Sequence, residues 1–366
     1  MSITRTSRLR VGVIGAGSFA EVGHIPGLQS HANAEVVAVC GRRFEPARAL
    51  ADRLGVPDVH TDYRELCARP DIDAVTIVTP NFLHCEQVLS ACAHGKHVFC
   101  EKPLGMSVVE AQAMLKAAEQ AEVIHQVGFI FRYGYAVPEL RRRVQAGDIG
   151  EPYYLRIQYD GWEGLDPGRR VVWQDKKVTA GAGVLFNIGS HLFDIVRYAA
   201  GPMEAVSGFL HHLPRPGIDS VTGGVSTIET DEVAAAWFRL SSGLRGQWFI
   251  GRITPPFAEK GYLEIIGPEG ALKAGLSRGS VDRLKVSRPN APDWKELPLP
   301  PEASDGLPHS LGRMMRSFVD SCLRGQLDPG SDASFFDGVV AQAAMEAVIE
   351  ADRELSWVRL AEADLR

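Results

Sequence analysis

The stretch LRVGVIGAGSFA, residues 9–20, decides the fold of the N-terminal part of the chain. Its first half, Leu9–Ile14, is apolar and rich in β-branched residues, which predicts a buried strand. The glycines that follow predict a tight turn into a helix. Segments of helical length separate most of the further apolar runs, which lie at residues 36–40, 74–78, 97–100 and 124–127. This alternation is typical of a parallel sheet covered on both faces, so we predict a doubly wound α/β domain over residues 1–128.

The pattern changes after residue 128, where the predicted strands become longer and Gly and Pro clusters separate several of them. Strands are predicted at about residues 153–159, 203–210, 231–240, 244–250 and 262–266, and helices at about 310–323 and 333–352. The sequence SSG at 241–243 predicts a hairpin turn. We therefore predict an α+β domain with a large, open, mostly antiparallel sheet over residues 129–366.

The composition limits the classes of function. A chain of 366 residues is long enough for about two domains. Its formal net charge of −6 argues against nucleic-acid binding. The six cysteines contain no Cys-x-x-Cys pair, and the histidines lack metal-ligand spacing, so no metal site is expected. Since no apolar run is as long as a membrane span and no signal region is evident, we expect a soluble, cytoplasmic protein.

The glycine-rich turn has the form G-x-G-x-x-A directly after a strand and before a helix. Gly15 would permit the tight turn, and Gly17 would let a pyrophosphate approach the backbone. Ala20 would let the helix pack closely on the strand, while Ser18 and Phe19 begin the helix whose N–H groups favour an anion. At the head of a run of βα units, this fingerprint predicts a dinucleotide-binding Rossmann domain.

The end of the second strand indicates which dinucleotide binds. An acidic residue that would bond the ribose 2′-hydroxyl is absent there, and the sequence reads Gly41-Arg42-Arg43. A glycine leaves space, and two guanidinium groups would suit a 2′-phosphate, so the sequence favours NADP(H) over NAD(H). A solvated basic turn is the alternative interpretation.

Two further turns lie at the predicted carboxyl ends of strands, where open α/β sheets bind ligands. The first, Thr79-Pro80-Asn81, is followed by His84, and all four residues are candidates for the cofactor cleft, although Asn81 also suits a helix cap. The second is Glu101-Lys102-Pro103. A lysine beside an oxidised nicotinamide ring would have a lowered pKa, which suits acid–base chemistry. A surface Glu–Lys pair is the alternative.

Five motifs, in this order, give the sequence a specific resemblance to a known family. They are GAGSFA (15–20), TPNFLH (79–84), CEKPLG (100–105), GFIFRY (128–133) and GAGVLFNIGSHLFD (181–194). Together they resemble the glucose–fructose oxidoreductase / inositol dehydrogenase / MocA (Gfo/Idh/MocA) family, and the resemblance covers most of the chain. It implies a Rossmann domain followed by an α/β domain whose open sheet often makes oligomer contacts, here a homodimer or homotetramer. The implied activity is NAD(P)-dependent oxidation of a secondary alcohol on a sugar, inositol or similar polyol.

The resemblance also implies roles for individual residues. Lys102 would transfer the proton, Glu101 would hold the nicotinamide ribose, and His191 would contact the substrate hydroxyl. The family commonly has Asp four residues before that histidine, whereas this chain has Asn187. An amide can orient a hydroxyl but cannot take a proton, which leaves Lys102 and His191 as the expected acid–base pair. Asp194 is a second candidate to support the His191 ring.

Three more residues are candidate substrate contacts: Arg132, Tyr133 and Trp173, the last by stacking on a sugar ring. Two alternatives to a dehydrogenase stay open. The first is a cofactor-binding sensor or scaffold without turnover, which Asn187 favours and which Lys102 and His191 oppose. The second is an enzyme that keeps its dinucleotide bound and uses transient oxidation for elimination or glycoside cleavage.

Overall fold

The computed structural model describes residues 8–166, 168–254, 261–276 and 282–365. The chain divides into two compact units. The first unit is assembled from three segments of the chain: Met1–Gly105, Val109–Ile130 and Pro308–Gly338. The second unit is assembled from the other three: Met106–Val108, Phe131–Leu307 and Val339–Arg366.

The first unit contains a six-stranded parallel sheet. Its strands are β1 (Leu9–Ile14), β2 (Ala34–Cys40), β3 (Asp58–His60), β4 (Ala74–Ile77), β5 (His97–Cys100) and β6 (His125–Val127). The helices that connect them are α1 (Ile25–Gln29), α2 (Phe44–Leu54), α3 (Tyr63–Ala68), α4 (His84–Ala93) and α5 (Val108–Gln120). The strand order is β3-β2-β1-β4-β5-β6, which is the Rossmann order, so the predicted fold of this part is confirmed.

The strand order creates one position suited to a ligand. Strand β1 pairs with β2 on one side and with β4 on the other, and both pairs are parallel. After β1 the chain therefore adds β2 and β3 on one side of this strand, and it then crosses to the other side to add β4, β5 and β6. The connections to the two sides diverge at the carboxyl end of β1. Ligands bind at such a switch point in open α/β sheets.

The second unit contains a nine-stranded sheet in the order β17-β16-β15-β14-β7-β13-β12-β9-β18. Its strands are β7 (Tyr154–Asp160), β9 (Met203–His212), β12 (Asp231–Leu240), β13 (Arg245–Gly251), β14 (Gly261–Gly267), β15 (Gly270–Gly275), β16 (Leu284–Arg288), β17 (Ala291–Leu297) and β18 (Val358–Arg359). Only the β7–β13 pair is parallel among these described strands, which confirms the mostly antiparallel sheet. A smaller sheet joins β8 (Arg170–Val171), β10 (Arg215–Asp219) and β11 (Val225–Ile228).

The helices of the second unit include α6 (Ala136–Gln145), α7 (Lys177–Ala180) and α8 (Ser190–Ala200). The predicted hairpin turn at 241–243 joins β12 to β13, and Gly243 donates its N–H to the carbonyl of Leu240 over 2.9 Å. Because the two strands pair antiparallel directly across this turn, the prediction from the SSG sequence is confirmed.

Two long helices, α9 (Gly306–Arg324) and α10 (Phe335–Glu354), lie in the chain between β17 and β18. The sequence placed both in the second domain, but residues 308–338 pack with the first unit. Two glycines permit this packing, because a Cβ on Gly23 would lie 2.9 Å from Leu311 and one on Gly27 would lie 2.8 Å from Met315. No helix in the described ranges is long and apolar enough to cross a membrane.

Candidate active site

The glycine-rich turn connects β1 to the first helical segment, and its two glycines have different structural roles. Gly15 has a φ of +123°, and a Cβ there would lie 2.7 Å from the carbonyl oxygen of Val78, so only glycine fits. Among the described residues other than the two chain neighbours of Gly17, none has an atom within 4 Å of the position a Cβ would take there. The backbone at Gly17 is therefore open to a ligand, and the turn fits the pyrophosphate of a dinucleotide.

The helical segment after this turn contains a wide turn. Ala20–His24 forms a π-helical turn, in which the N–H of Ile25 reaches back to the carbonyl of Ala20. Ala20 is fully buried, as predicted for the close packing of helix and strand, whereas Ser18 is exposed and Phe19 is half-buried. Single π-turns inside helices occur frequently at functional sites, because the extra residue changes the direction of a side chain. Here the wide turn ends at His24.

The turn after β2 has a structural role besides the predicted one. A Cβ on Gly41 would lie 2.8 Å from the Cβ of Ala16 and 2.9 Å from that of Ala47, so a glycine is needed for β2 to approach the glycine-rich turn. Arg42 and Arg43 follow in exposed positions. Two exposed guanidinium groups thus lie in the chain directly after the residue that packs on Ala16.

The turn after β4 is tied to the turn after β5 by one histidine. His84 is fully buried, with Nδ1 at 3.0 Å from the carbonyl oxygen of Pro103 and Nε2 at 2.9 Å from that of Thr79. Burial lowers the pKa of His84 despite these two carbonyls, and a neutral imidazole can donate to only one of them. The His84 side chain therefore holds the two turns together, and its predicted place in a cofactor cleft stays a prediction. Asn81 is likewise buried, at the start of the turn Asn81–Leu83 after Pro80.

The Glu101-Lys102-Pro103 turn follows β5 directly, so it lies at the carboxyl edge of the parallel sheet as predicted. Glu101 is 7% exposed, and its Oε1 lies 3.2 Å from Nε2 of His24. Its Oε2 accepts the backbone N–H of Lys102 at 3.3 Å. The Lys102 side chain is half-buried, and the Lys102–Pro103 peptide bond is cis.

The charge state of Glu101 follows from these contacts. Burial alone would raise the pKa of this carboxyl, but the hydrogen bond from His24 and the positive charge of Lys102 outweigh it and hold the pKa below its usual value. Glu101 is therefore ionised at neutral pH and can only accept hydrogen bonds. A buried carboxylate of this kind is suited to bind hydroxyl groups.

In the second unit, the stretch that contains Asn187 and His191 is helical but not uniform. Leu185–Gly189 forms a π-helical turn, in which Ser190 donates its N–H to the carbonyl of Leu185, and α8 continues from there. Asn187 is half-buried in the π-turn, and His191 is 1% exposed in the first turn of α8. The ring of His191 meets that of Phe131 edge to face at 5.1 Å. The stretch from Asn187 to His191 therefore spans the junction between the π-helical turn and α8.

A buried carboxylate holds the start of this segment. Asp231, the first residue of β12, accepts the N–H groups of Gly183 and of Leu185, the latter at 2.9 Å. A Cβ on Gly183 would lie 2.1 Å from the carbonyl oxygen of Asp231, so the close approach requires glycine. Burial raises the pKa of Asp231 because the backbone hydrogen bonds only partly compensate it.

The structure shows other partners for two predicted site residues. Asp194 is 2% exposed and accepts from Nε of Arg132 at 3.0 Å and from its Nη2 at 2.5 Å. Arg132, itself 5% exposed, also lies over the ring of Tyr198 at 4.9 Å. This buried pair favours a structural role for both residues over the predicted substrate contact and support of the His191 ring. Tyr133 is also buried.

A buried charge cluster supports the loop that carries Trp173, which is half-buried at the start of the turn Trp173–Asp175. Asp175 and Glu232 are fully buried at the centre of the cluster. Arg252 bonds both carboxylates, at 3.2 Å and 2.6 Å. Arg169 pairs with both carboxylates, and Arg215 pairs with Glu232. Since paired charges tolerate burial, the cluster holds the loop against β12 and β13, and the sequence did not reveal it.

Comparisons with known proteins agree with this arrangement. Residues 9–129 match a family model described as "Oxidoreductase family, NAD-binding Rossmann fold", and residues 137–273 match one described as "GFO/IDH/MocA C-terminal domain". A 1,5-anhydro-D-fructose reductase from Ensifer adhaerens is 31% identical over 344 residues, which are 93% of this chain and 96% of that protein.

Levoglucosan dehydrogenase from Pseudarthrobacter phenanthrenivorans is similar to this chain in sequence, and a solved structure of levoglucosan dehydrogenase is similar to it in fold. The sequence is 30% identical over 273 residues, which are 70% of this chain and 66% of that protein, just under two thirds of its length. The solved structure of levoglucosan dehydrogenase in complex with NADH and levoglucosan superposes with a TM-score of 0.86 at 25% identity. That superposition covers 96% of this chain and 99% of the other.

Proposed function

Because the chain belongs to the Gfo/Idh/MocA family of oxidoreductases, we propose that it transfers hydride reversibly between a nicotinamide dinucleotide and a secondary alcohol of a sugar, inositol or related polyol. The observation that carries the proposal is the pair of turns at the carboxyl edge of the parallel sheet. Gly17 leaves its backbone open after β1, and Glu101 and Lys102 follow β5. Relatives that act on sugars and polyols support the substrate class.

The residues of the first unit have distinct roles in this proposal. The bound dinucleotide supplies the hydride acceptor or donor. The open turn at Gly17 binds its pyrophosphate, and the ionised Glu101 accepts a hydroxyl group of its nicotinamide ribose. Lys102 removes the proton of the substrate hydroxyl during oxidation and returns it during reduction. In the second unit, His191 and Asn187 contact the substrate.

The proposal includes a preference for NADP(H). The support is the exposed pair Arg42 and Arg43, whose guanidinium groups make no hydrogen bond or ion pair in the described part of the chain, which suits a contact with a 2′-phosphate. Solved relatives hold NADH, which makes NAD(H) the competing choice. Titration of the protein fluorescence with NADPH and NADH decides between them, and clearly tighter binding of NADH would refute the preference.

The proposal also retains a homodimer or homotetramer formed through the large sheet, where Phe209 and Trp237 are exposed.

The experiment that tests the activity combines a substrate panel with one substitution. Sugars, inositols and their keto forms are screened for a change in nicotinamide absorbance. Lys102→Ala is then expected to lower turnover of the best substrate by at least about 100-fold while the dissociation constant of the dinucleotide changes little, because general acid–base catalysis contributes that much to the rate. Lys177→Ala, an exposed lysine of the second unit, serves as the control.

The outcome separates the proposal from its main alternative. Turnover in Lys102→Ala equal to that of the wild type would refute the role of Lys102. Tight dinucleotide binding with no turnover of any panel member, in either direction, would favour a cofactor-binding protein without dehydrogenase activity.

A further inference from the structure

The side chain of His24 is aimed at one carboxylate by the wide turn that it ends. Its ring is fully buried, with the ring of Phe99 edge to face at 5.4 Å and the ring of Phe19 at 6.2 Å. Its Nε2 lies 3.2 Å from Oε1 of Glu101, which is 77 residues later in the chain. The same helical segment begins with the open turn at Gly17, so one element contributes both to the phosphate-binding turn and to the environment of Glu101.

The carboxylate of Glu101 is confined on its other sides as well. Oε2 accepts the N–H of Lys102. A Cβ on Gly128 would lie between 2.8 and 2.9 Å from three atoms of the carboxylate, so the end of β6 approaches it closely. With backbone on two sides, the orientation of the carboxylate depends on the group that meets Oε1. That group is His24.

The hydrogen bond also defines the protonation of the ring. An ionised carboxylate can only accept, so the proton must be on Nε2 of His24. The other ring nitrogen, Nδ1, is buried and has no hydrogen-bond partner among the described residues. The ring therefore makes one directed polar contact, and that contact is with Glu101.

We propose that His24 is a positioning residue: it holds the Glu101 carboxylate in the orientation that binds the ribose at the nicotinamide end of a dinucleotide. This inference rests on the proposed function, since it takes the dinucleotide as the ligand. It assigns His24 an effect on one half of the ligand only. The adenosine diphosphate half would meet the glycine-rich turn and not Glu101.

A matched pair of amides tests the proposal. In His24→Gln the amide nitrogen can occupy the position of Nε2, whereas in His24→Asn the shorter side chain places its amide near the position of Nδ1. Each variant is titrated with NADH and with ADP, which lacks the nicotinamide riboside. We expect His24→Asn to weaken NADH binding about tenfold, the loss of one charge-assisted hydrogen bond, and His24→Gln to stay within about threefold of the wild type.

Binding of ADP should be unchanged in both variants, and His31→Asn, which removes a histidine that meets Asp320 at 3.1 Å in the same unit, should change neither titration. Equal weakening of NADH and ADP in His24→Asn would overturn the proposal in favour of a purely structural histidine. Unchanged NADH binding in His24→Asn would by itself overturn the proposal for His24. A wild-type protein that binds none of NADH, NADPH and ADP would refute the proposed function, and with it this inference.

A spectroscopic measurement keeps the proposal testable if His24→Asn fails to fold. The ¹⁵N shifts of His24 in the wild type should report a proton on Nε2, the nitrogen that lies 3.2 Å from Oε1 of Glu101. A proton on Nδ1 with a bare Nε2 in the wild type would contradict the hydrogen bond on which the inference depends.

Discussion

Two buried carboxylates, one in each unit, hold histidine-bearing helical segments with opposite electrostatic results. Glu101 meets the π-turn that ends at His24, and Asp231 meets the start of the segment that leads to His191. The pKa of Glu101 is lowered and that of Asp231 is raised. Both side chains are nearly inaccessible to water, so burial alone does not explain the difference.

The partners of the two carboxylates explain why their pKa values shift in opposite directions. Burial raises the pKa of both carboxyls, but Glu101 has an imidazole within hydrogen-bond distance and the Lys102 charge nearby. Asp231 has mainly the backbone N–H groups of Gly183 and Leu185, which stabilise its charge less than burial destabilises it. In this molecule, the buried carboxyl with an imidazole and a lysine nearby has a lowered pKa, whereas the buried carboxyl that mainly accepts backbone N–H groups has a raised one.

The largest expected effect concerns the backbone contact at Asp231. Gly183→Ala should lower the free energy of unfolding by about 3 kcal/mol, because its Cβ would lie 2.1 Å from a backbone oxygen that cannot move without shifting β12. Urea unfolding measures the loss. Gly224→Ala, with the nearest atom 3.6 Å from the added Cβ, is the control and should change stability by less than about 0.5 kcal/mol. Equal stability of the two variants would mean that the segment is not held as described.

The second prediction uses the opposite pKa shifts. Glu101, with a lowered pKa in the folded state, contributes stability above its ordinary pKa of 4.5 and loses it as the pH falls through the folded value. Asp231, with a raised pKa, contributes stability below its ordinary pKa of 3.8 and loses it as the pH rises through the folded value.

Unfolding of Glu101→Gln and Asp231→Asn should therefore be compared with the wild type from acid to neutral pH. The stability advantage of the wild type over Glu101→Gln should grow as the pH rises, and its advantage over Asp231→Asn should shrink. If the two stability differences between wild type and variant changed with pH in the same direction, the contrast between the two carboxylates would be refuted.

The smallest expected effect is at Asn187, where the chain departs from its family's common residue. Asn187→Asp should raise kcat/KM or shift its pH profile, by less than about tenfold, because a carboxylate can take a proton and an amide cannot. The pH dependence of kcat/KM is the measurement. An unchanged rate and profile would show that the side chain in the π-turn is structural.

Much of the fold could be predicted from local patterns. The bounds of β1 and β5 match the predicted apolar runs, because each buried strand of a parallel sheet is a continuous apolar segment. Strand β3 escaped prediction, since its three residues are exposed or half-buried and form no apolar run. The return of residues 308–338 to the first unit also escaped, because amphipathic helices do not reveal which unit they cover.

The candidate site likewise contains residues that local sequence patterns reveal and residues that they do not. Gly15 and Gly17 could be recognised because a tight strand-to-helix turn needs glycines at fixed spacing, and Glu101 and Lys102 because they follow a predicted strand at the ligand-binding edge of the sheet and match a family motif. His24 lies in a helical segment that also contains the charged residue Glu21, so it gave no distinct local signal, and Asp231 gave none either. Each meets a partner at least 46 residues away in the chain, a distance over which no local pattern operates.

The sequence by itself determined the family, the alternation of strands and helices, and the turns at the carboxyl edge of the parallel sheet, because these depend on neighbouring residues. Only the tertiary structure decided which carboxylate stays charged, which histidine faces it, and that His84, Arg132 and Asp194 are engaged in holding the fold. Those properties depend on burial and on partners brought together from distant parts of the chain, and only the packed molecule contains them.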